Sequence, residues 1–317
     1  MAAVTQDISL AAPPKKKGRT ALERREIKWG LIFLSPWLIG FVIFTIFPMI
    51  ASFIFTVTEF NLLQPQGFTF IGLRNYERLF TDPQVLASLV ITFRFALFSV
   101  PIAIFVPLGL ALLVNAKYLF GKNVFRALFY MPQMITSVAI VVIIGAVLNS
   151  ESGWVNRLLA MIGIEGPRWF QDEVWVVPAL AIMSVWTVGN TMLTMLAGLQ
   201  NVPTELYEAA RVDGASPWRS FWNITVPMIS PVIFYNLVLA VIGSLQYLVG
   251  AFIIGNGRGD PNGATMFFNM YLYKTAFAFL DMGYGATLAW VLFVIGLVLT
   301  IILFRLQRRW VFYAGGD

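Results

Sequence analysis

Two glutamates one helical turn apart, Glu205 and Glu208, come nearest in this chain to an acid–base pair. Paired carboxylates pass protons when their surroundings hold one protonated and the other ionised. A simpler account serves here: both fall in the first turns of a helix opened by Pro203-Thr204, where negative charge meets the positive end of the helix dipole. Phosphate chemistry has one foothold, the single Gly-Lys pair Gly121-Lys122. A phosphate-cradling loop needs a glycine five positions before that glycine and Ser or Thr after the lysine, and Ala116 and Asn123 stand there instead. The chain has no His and no Cys, which removes imidazole and thiol chemistry, disulfides and the commonest zinc ligands. No catalytic residue and no metal site follow, and the chain reads as a non-enzyme that binds no cofactor of its own.

The elements that position these residues are apolar. Of 317 residues 58% are hydrophobic and 12% charged, and the mean hydropathy is +0.76. An ordinary soluble globule does not have that composition. Charge-poor stretches near 29–57, 85–116, 127–149, 174–199, 226–251 and 282–304 are each long enough to cross a hydrocarbon core, which takes about 20 helical residues. They lack strand alternation, and open sheet edges cannot face lipid, so the sequence predicts an all-α membrane protein of six transmembrane helices. The first stretch exceeds a signal-peptide core and is expected to stay attached. Expected divisions are a disordered basic tail over 1–28, the first helix and an outer loop over 29–84, a five-helix core over 85–306, and a tail over 307–317.

Basic residues set the orientation. With both termini on one side, that side carries 15 Lys and Arg, seven of them from Lys15 to Lys28, and the other carries Arg74, Arg78, Arg157, Arg168, Arg258 and Lys274. The positive-inside rule places both termini and the Glu208 loop in the cytoplasm. The same rule explains Pro13-Pro14-Lys15-Lys16-Lys17-Gly18-Arg19 as a topology signal beside membrane lipid rather than a nucleic-acid contact. The outer loops near 58–84 and 150–173 carry Gly, Pro and aromatic residues that suit short interfacial helices.

The inner loop 203–220 is the polar interruption that has to meet something in water. Thr204 can cap a helix start, with Glu205 and Glu208 in the first turns. Leu206, Ala209 and Ala210 at i, i+3 and i+4 form a narrow stripe that a partner can approach closely. Gly214 permits a left-handed stop, and Ser216-Pro217 restarts a helix with a capping hydroxyl followed by proline. Trp218, Phe221 and Trp222 share a face of the restart.

Glu208-Ala209-Ala210, Gly214 and Ile224 followed by Val226-Pro227, at this spacing, resemble the EAA loop of binding-protein-dependent ABC importer permeases; Val226 departs from the usual Leu. The resemblance runs along nearly the whole chain: Phe70-Ile71-Gly72-Leu73-Arg74-Asn75-Tyr76, Leu79 to Pro83, Trp186 leading to Gly198-Leu199-Gln200, Gly243-Ser244-Leu245-Gln246, and Phe279 to Gly285. It is similar to the carbohydrate-uptake permeases of the maltose and glycerol-3-phosphate type. The resemblance implies a type I ABC importer permease fold in a prokaryotic plasma membrane. It also implies coupling to a separate ATPase through Glu205, Glu208, Ala209, Ala210, Asp213 and Gly214. Implied partners are a second permease, two ATP-binding subunits that use ATP and Mg, an extracytoplasmic solute-binding protein, and a sugar.

Polar residues inside the spans mark a candidate solute path. Thr187, Asn190, Thr191 and Thr194 recur at i, i+3, i+4 and i+7, a stripe expected to face the bundle interior. Asn236, Gly243 and Tyr247 lie near one face of the fifth span, flanked by Ser244 and Gln246. Amides, hydroxyls and aromatic faces suit sugars; the competing reading is interhelical hydrogen bonding and close packing. Arg94 is the one ionisable side chain clearly inside a span, at a depth that suits snorkelling. The spans offer no carboxylate, so an ion-coupled secondary carrier is the weaker alternative; a neutral solute is preferred, and another small solute, a sugar phosphate included, remains open. Prolines 101, 107, 132, 178, 227 and 231 lie in or beside spans and can bend them.

Overall fold

The computed structural model describes residues 20–61, 63 and 68–313. Most of the expected basic tail and the end of the C-terminal tail lie outside the described residues, as does part of the loop near 58–84. Residues 21–28, expected in that tail, are helical: the first helix begins at Ala21.

The chain divides into two units, residues 1–52 and 53–317. In the first, the helix Ala21–Phe41 runs through a π-helical turn, Val42–Ile46, into Phe47–Phe55. Pro36 sits inside it, where it cannot donate to the Ile32 carbonyl. The Ser35 hydroxyl donates there instead, at 2.8 Å.

The second unit is built around the helix Pro83–Asn115. Asp82 caps its start by accepting from Gln84 N, and Pro83 supplies a first residue already fixed in helical φ. Its N-terminal half contributes Val85 and Phe95 to one core with Leu180, Phe267, Phe268, Tyr284 and Leu288. Its other half contributes Ile104, Leu108, Ala111 and Val114 to a second core with Met192, Met195, Leu196 and Ile229. Among the described residues no charged residue is buried.

Among the described residues four helices are long and apolar enough to cross a membrane: Arg24–Phe55, Pro83–Asn115, Pro217–Ile254 and Met282–Gln307. The other two expected spans are broken. Lys122–Met134 meets Ser137–Val147 at 106°, and Val176–Thr187 meets Gly189–Gln200 at 56°. The first break follows Pro132 and a 3-10 turn, Met131–Met134, with Ile135 and Thr136 extended. At the second, the Ser184 and Thr187 hydroxyls donate to the Ala181 and Ser184 carbonyls, at 2.6 and 3.1 Å. Such side-chain bonds compete with the helix ladder. The two bends touch: a β-carbon on Gly189 would overlap the Phe129 carbonyl oxygen and lie 2.9 Å from Tyr130 Cα.

Short helices Arg74–Thr81 and Trp154–Met161 occupy the loops expected to hold them. The all-α expectation needs one small correction: Thr58–Glu59 and Thr69–Phe70 pair as a two-stranded antiparallel ladder. Asparagine 156 ties the second loop together, taking the Trp169 indole N–H at 2.7 Å and donating to the Ser150 and Pro167 carbonyls.

Candidate functional site

The loop 203–220 forms the helix Thr204–Val212. The residue at its cap position is Pro203, with no side-chain cap bond, so the expected capping role of Thr204 is not realised; Thr204 is already helical. The stop is as the sequence predicts. Gly214 takes φ +72°, a conformation that costs glycine nothing and a β-carbon residue strain. Ala215 N then reaches the Ala210 carbonyl at 2.8 Å. Ser216 restarts the chain by accepting from Arg219 N at 3.3 Å, ahead of Pro217. Trp218, Phe221 and Trp222 pack ring against ring.

Tyr207 and Thr225, which the sequence reading did not single out, help Ile224 hold this helix down. Tyr207 and Ile224 pack against the second core, and the Tyr207 hydroxyl pairs with Thr225 Oγ1 at 2.9 Å. Outward and exposed are Thr204, Glu205, Leu206, Glu208, Ala209, Arg211, Val212, Asp213 and Gly214, with Ala210 half-buried. The loop therefore presents an anchored ridge whose open side carries Ala209, the acidic groups Glu205, Glu208 and Asp213, the basic Arg211 and the apolar Leu206 and Val212.

A cavity of about 430 Å³ lies where the two bent spans and the fifth span meet the Pro83–Asn115 helix. Its walls include Phe95, Ser99, Ser137, Ser184, Thr187, Gly243, Ser244, Gln246 and Tyr247. The fifth span opens it: the helix Val226–Leu245 stops, Gln246 to Leu248 leave the helix, and Val249–Ile254 resumes it. Asn269 Nδ2 donates to the freed Gln246 carbonyl at 2.8 Å. Tyr247 stacks on Phe95, ring centroids 4.3 Å apart.

Of the seven sequence-derived path residues, Thr187, Ser244, Gln246 and Tyr247 line this cavity. Asn190, Thr191 and Asn236 do not. The expected four-residue stripe is interrupted, because Thr187 ends a 3-10 turn and Asn190 lies beyond the 56° bend. Nor is it turned inward along its length: Thr187 and Asn190 are exposed and Thr191 and Thr194 half-buried, while Gly189, Met192, Met195 and Leu199 form the buried side. Asn236 is buried but spends its amide on the Val232 carbonyl of its own helix, at 2.9 Å. Arg94 reaches the Val174 carbonyl at 2.9 Å rather than standing free.

Ser99 is the residue that sequence reasoning missed. It is 6% exposed, and its hydroxyl has no hydrogen-bond partner. A buried hydroxyl left unpaired costs free energy unless something supplies a partner. Its signal was present: Val85, Ser88, Thr92, Phe95 and Ser99 repeat at three- and four-residue steps and are all buried.

At the opposite end of the unit from the Thr204–Val212 helix, three motif stretches converge. Asp82 accepts from the hydroxyls of Tyr271 and Tyr284, and Arg78 forms a 2.7 Å ion pair with Asp281 while its guanidinium sits 3.9 Å from the Tyr284 ring centroid. Asn75 donates to the Thr56 and Thr58 carbonyls. Burial opposes ionisation of Asp82, but the tyrosine hydroxyls, the Gln84 N–H and the Arg78 charge outweigh it and hold its carboxyl below the ordinary value. The stabilisation this carries is full above the ordinary carboxylate range and is lost as pH falls through the lowered native value. Asp82→Asn leaves too few acceptors for three donors, one of them on fully buried Tyr284. It should cost roughly 1–3 kcal/mol. A thermal-unfolding series would show a lower midpoint than the parent at neutral pH and a smaller further loss in acid.

Residues 103–311 match the family described as the inner membrane component of binding-protein-dependent transport systems. A probable ABC transporter permease of Bacillus subtilis, YesP, is 37% identical over 95% of this chain and 97% of its own. The arabinooligosaccharides transport system permease AraP of the same organism is 31% identical over 87% of each chain. The lactose transport system permease LacF of Rhizobium radiobacter is 30% identical over 92% of this chain and 98% of its own. Among solved structures, a chain of a bacterial ABC transporter involved in importing the acidic polysaccharide alginate superposes with a TM-score of 0.74 at 24% identity, covering 91% of this chain and 98% of that one. That likeness establishes the fold.

Proposed function

We propose a role that proceeds from one fact: the chain belongs to the family of inner membrane components of binding-protein-dependent transport systems. It is a multi-pass membrane protein, the permease subunit of an ABC sugar importer. In the proposed assembly it lies in a prokaryotic plasma membrane with both termini cytoplasmic and pairs with a second permease to enclose the path of a neutral sugar. Two ATP-binding subunits supply the energy, and an extracytoplasmic binding protein delivers the solute. ATP and Mg belong to those partner subunits.

The observation that carries the coupling role is the anchored ridge of Thr204–Val212. Tyr207 and Thr225 fix it to the second core, while Glu205, Glu208, Ala209, Asp213 and Gly214 are left open. A surface held rigidly on its inner side and bare on its outer side can transmit displacement to the spans behind it. Closure of the paired ATPases on ATP draws such ridges together and rocks the spans, so that solute released outside enters between the two permeases and leaves inward when the ATPases part. The exposed sides of Thr187 and Asn190 suit a path shared with another subunit.

The cavity supports the choice of a sugar. Its walls combine the Tyr247 face with the Ser99, Ser137 and Thr187 hydroxyls and the Gln246 amide, and include no charged residue. Neutral polyhydroxylated solutes meet such a surface on both their polar and apolar sides, and relatives are named for arabinooligosaccharides and lactose. Ser99→Ala tests this reading in the reconstituted complex with a panel of radiolabelled neutral saccharides. Loss of one neutral hydrogen bond should raise KM roughly three- to tenfold with little change in maximal rate. An unchanged KM for every saccharide transported would remove Ser99 from the path.

A further inference from the structure

We propose that Gly250 is a positioning residue: it allows the Tyr247 ring to lie back against the wall of the cavity and thereby sets the girth of solute the cavity admits. The second half of this statement rests on reading the cavity as the solute path; the first half does not.

Tyr247 and Gly250 are three residues apart across the break in the fifth span, and both line the cavity. A β-carbon placed on Gly250 would overlap Tyr247 Oη and stand 2.8 Å from Cζ and 3.4 Å from Cε1. The first two separations are closer than packed carbon and oxygen atoms tolerate, so the ring could not stay where it is. Its retreat is blocked on two sides. Phe95 stacks against it, and Phe267 packs 5.3 Å away centroid to centroid; both are buried, at 2% and 0% exposure. The free volume is the cavity itself, so a side chain on Gly250 pushes the ring inward and narrows the cavity that Ser99 also lines. Gly250 has no positive φ, so the β-carbon itself, rather than backbone strain, is what the position excludes.

The chain has no cysteine, so Ser99→Cys introduces one thiol whose modification rate reports access to the cavity. The assembled complex carrying S99C is treated with N-ethylmaleimide, and label on this chain is followed in time. Adding Gly250→Ala should slow labelling by about tenfold or more, the scale of an overpacked contact. Adding Tyr247→Ala as well should restore the parent rate or exceed it, because the obstacle is gone. Equal rates with and without Gly250→Ala would overturn the proposal, and so would slowing that Tyr247→Ala does not relieve. Should the Gly250→Ala chain fail to fold, the variant that also carries Tyr247→Ala decides. Recovery of a folded, rapidly labelled complex supports the proposal, and failure of both variants assigns Gly250 to the backbone and overturns it.

Uptake of glucose, maltose and maltotriose by the Gly250→Ala complex, with Ser99 intact, tests the size limit. The trisaccharide should lose more than the monosaccharide, and an equal loss across the series would refute the selectivity claim. If labelling follows the expected pattern while the parent complex takes up no saccharide at all, the sugar reading fails and the positioning role of Gly250 stands.

Discussion

Glu208→Lys and Gly214→Val should each abolish ATP-driven uptake while leaving the chain inserted and folded. Glu208 is exposed, so reversing its charge costs the fold little, within about 0.5 kcal/mol for an ordinary surface site. Its effect falls on whatever binds the ridge, where an unpaired or repelled charge in a contact costs several-fold more. Gly214 acts by shape. Its built β-carbon meets nothing within 4 Å, yet its φ is +72°, and a β-branched residue there carries roughly 1–3 kcal/mol of backbone strain. The chain relieves that strain by unwinding the turn between Thr204–Val212 and Ser216-Pro217, which re-aims the ridge without disturbing the cores. Co-purification of the ATP-binding subunit and solute uptake are the two readouts. We expect both to fall by at least about a factor of ten, since 1.4 kcal/mol already does that. Parent levels of both, in either variant, would contradict the coupling role.

Gly189→Ala should prevent recovery of a folded chain, although it adds one methyl group. The atoms it meets are the Phe129 carbonyl oxygen and Tyr130 Cα, both backbone, so no rotamer change can make room. The two bent spans would have to part, opening the second core where Met192, Met195 and Leu196 pack beside the crossing. Overpacking typically costs 1–3 kcal/mol where side chains can yield, and more where they cannot. Gly109→Ala is the matched control. It lies inside the Pro83–Asn115 helix with nothing within 4 Å of the added carbon, so it should be tolerated or gain about 0.5–1 kcal/mol from helix propensity. The size-exclusion profile of the two purified variants separates them. A monodisperse Gly189→Ala chain with parent thermal stability would show that the spans do not depend on this crossing.

Hydropathy was enough to find where the chain is apolar, and turn chemistry at Gly214 and Ser216-Pro217 was enough to delimit the end of the Thr204–Val212 helix and the restart after it, because both signals are local. The bends were not legible in the same way. A 20-residue apolar window reads the same whether or not Pro132 and the hydroxyls of Ser184 and Thr187 divert the backbone within it. The expected stripe from Thr187 to Thr194 failed for that reason, since helical spacing presumes an unbroken helix. Asn236 lies off the cavity's lining with its amide bonded to Val232 of its own helix: a polar side chain in a span can satisfy itself on the preceding turn, and no spacing rule distinguishes that from a residue waiting for a solute. The Asp82 network joins residues about 190 to 200 positions apart, Tyr271 and Tyr284 among them, and such pairings leave no trace in any local window. Thr204, adjacent to Pro203, had the right type for a cap and the wrong position by one residue.

The central claim is that this polypeptide half-encloses a solute path whose energy comes from a separate nucleotide-hydrolysing subunit. The direct test is uptake of labelled saccharide into proteoliposomes containing this chain alone, or with the second permease and ATP-binding subunits, with the solute-loaded binding protein and ATP supplied on their respective sides. Accumulation only in the complete set, and its loss when ATP is withheld, is the predicted result. Saccharide movement by the purified chain alone, in vesicles free of any ATP-hydrolysing subunit, would contradict it.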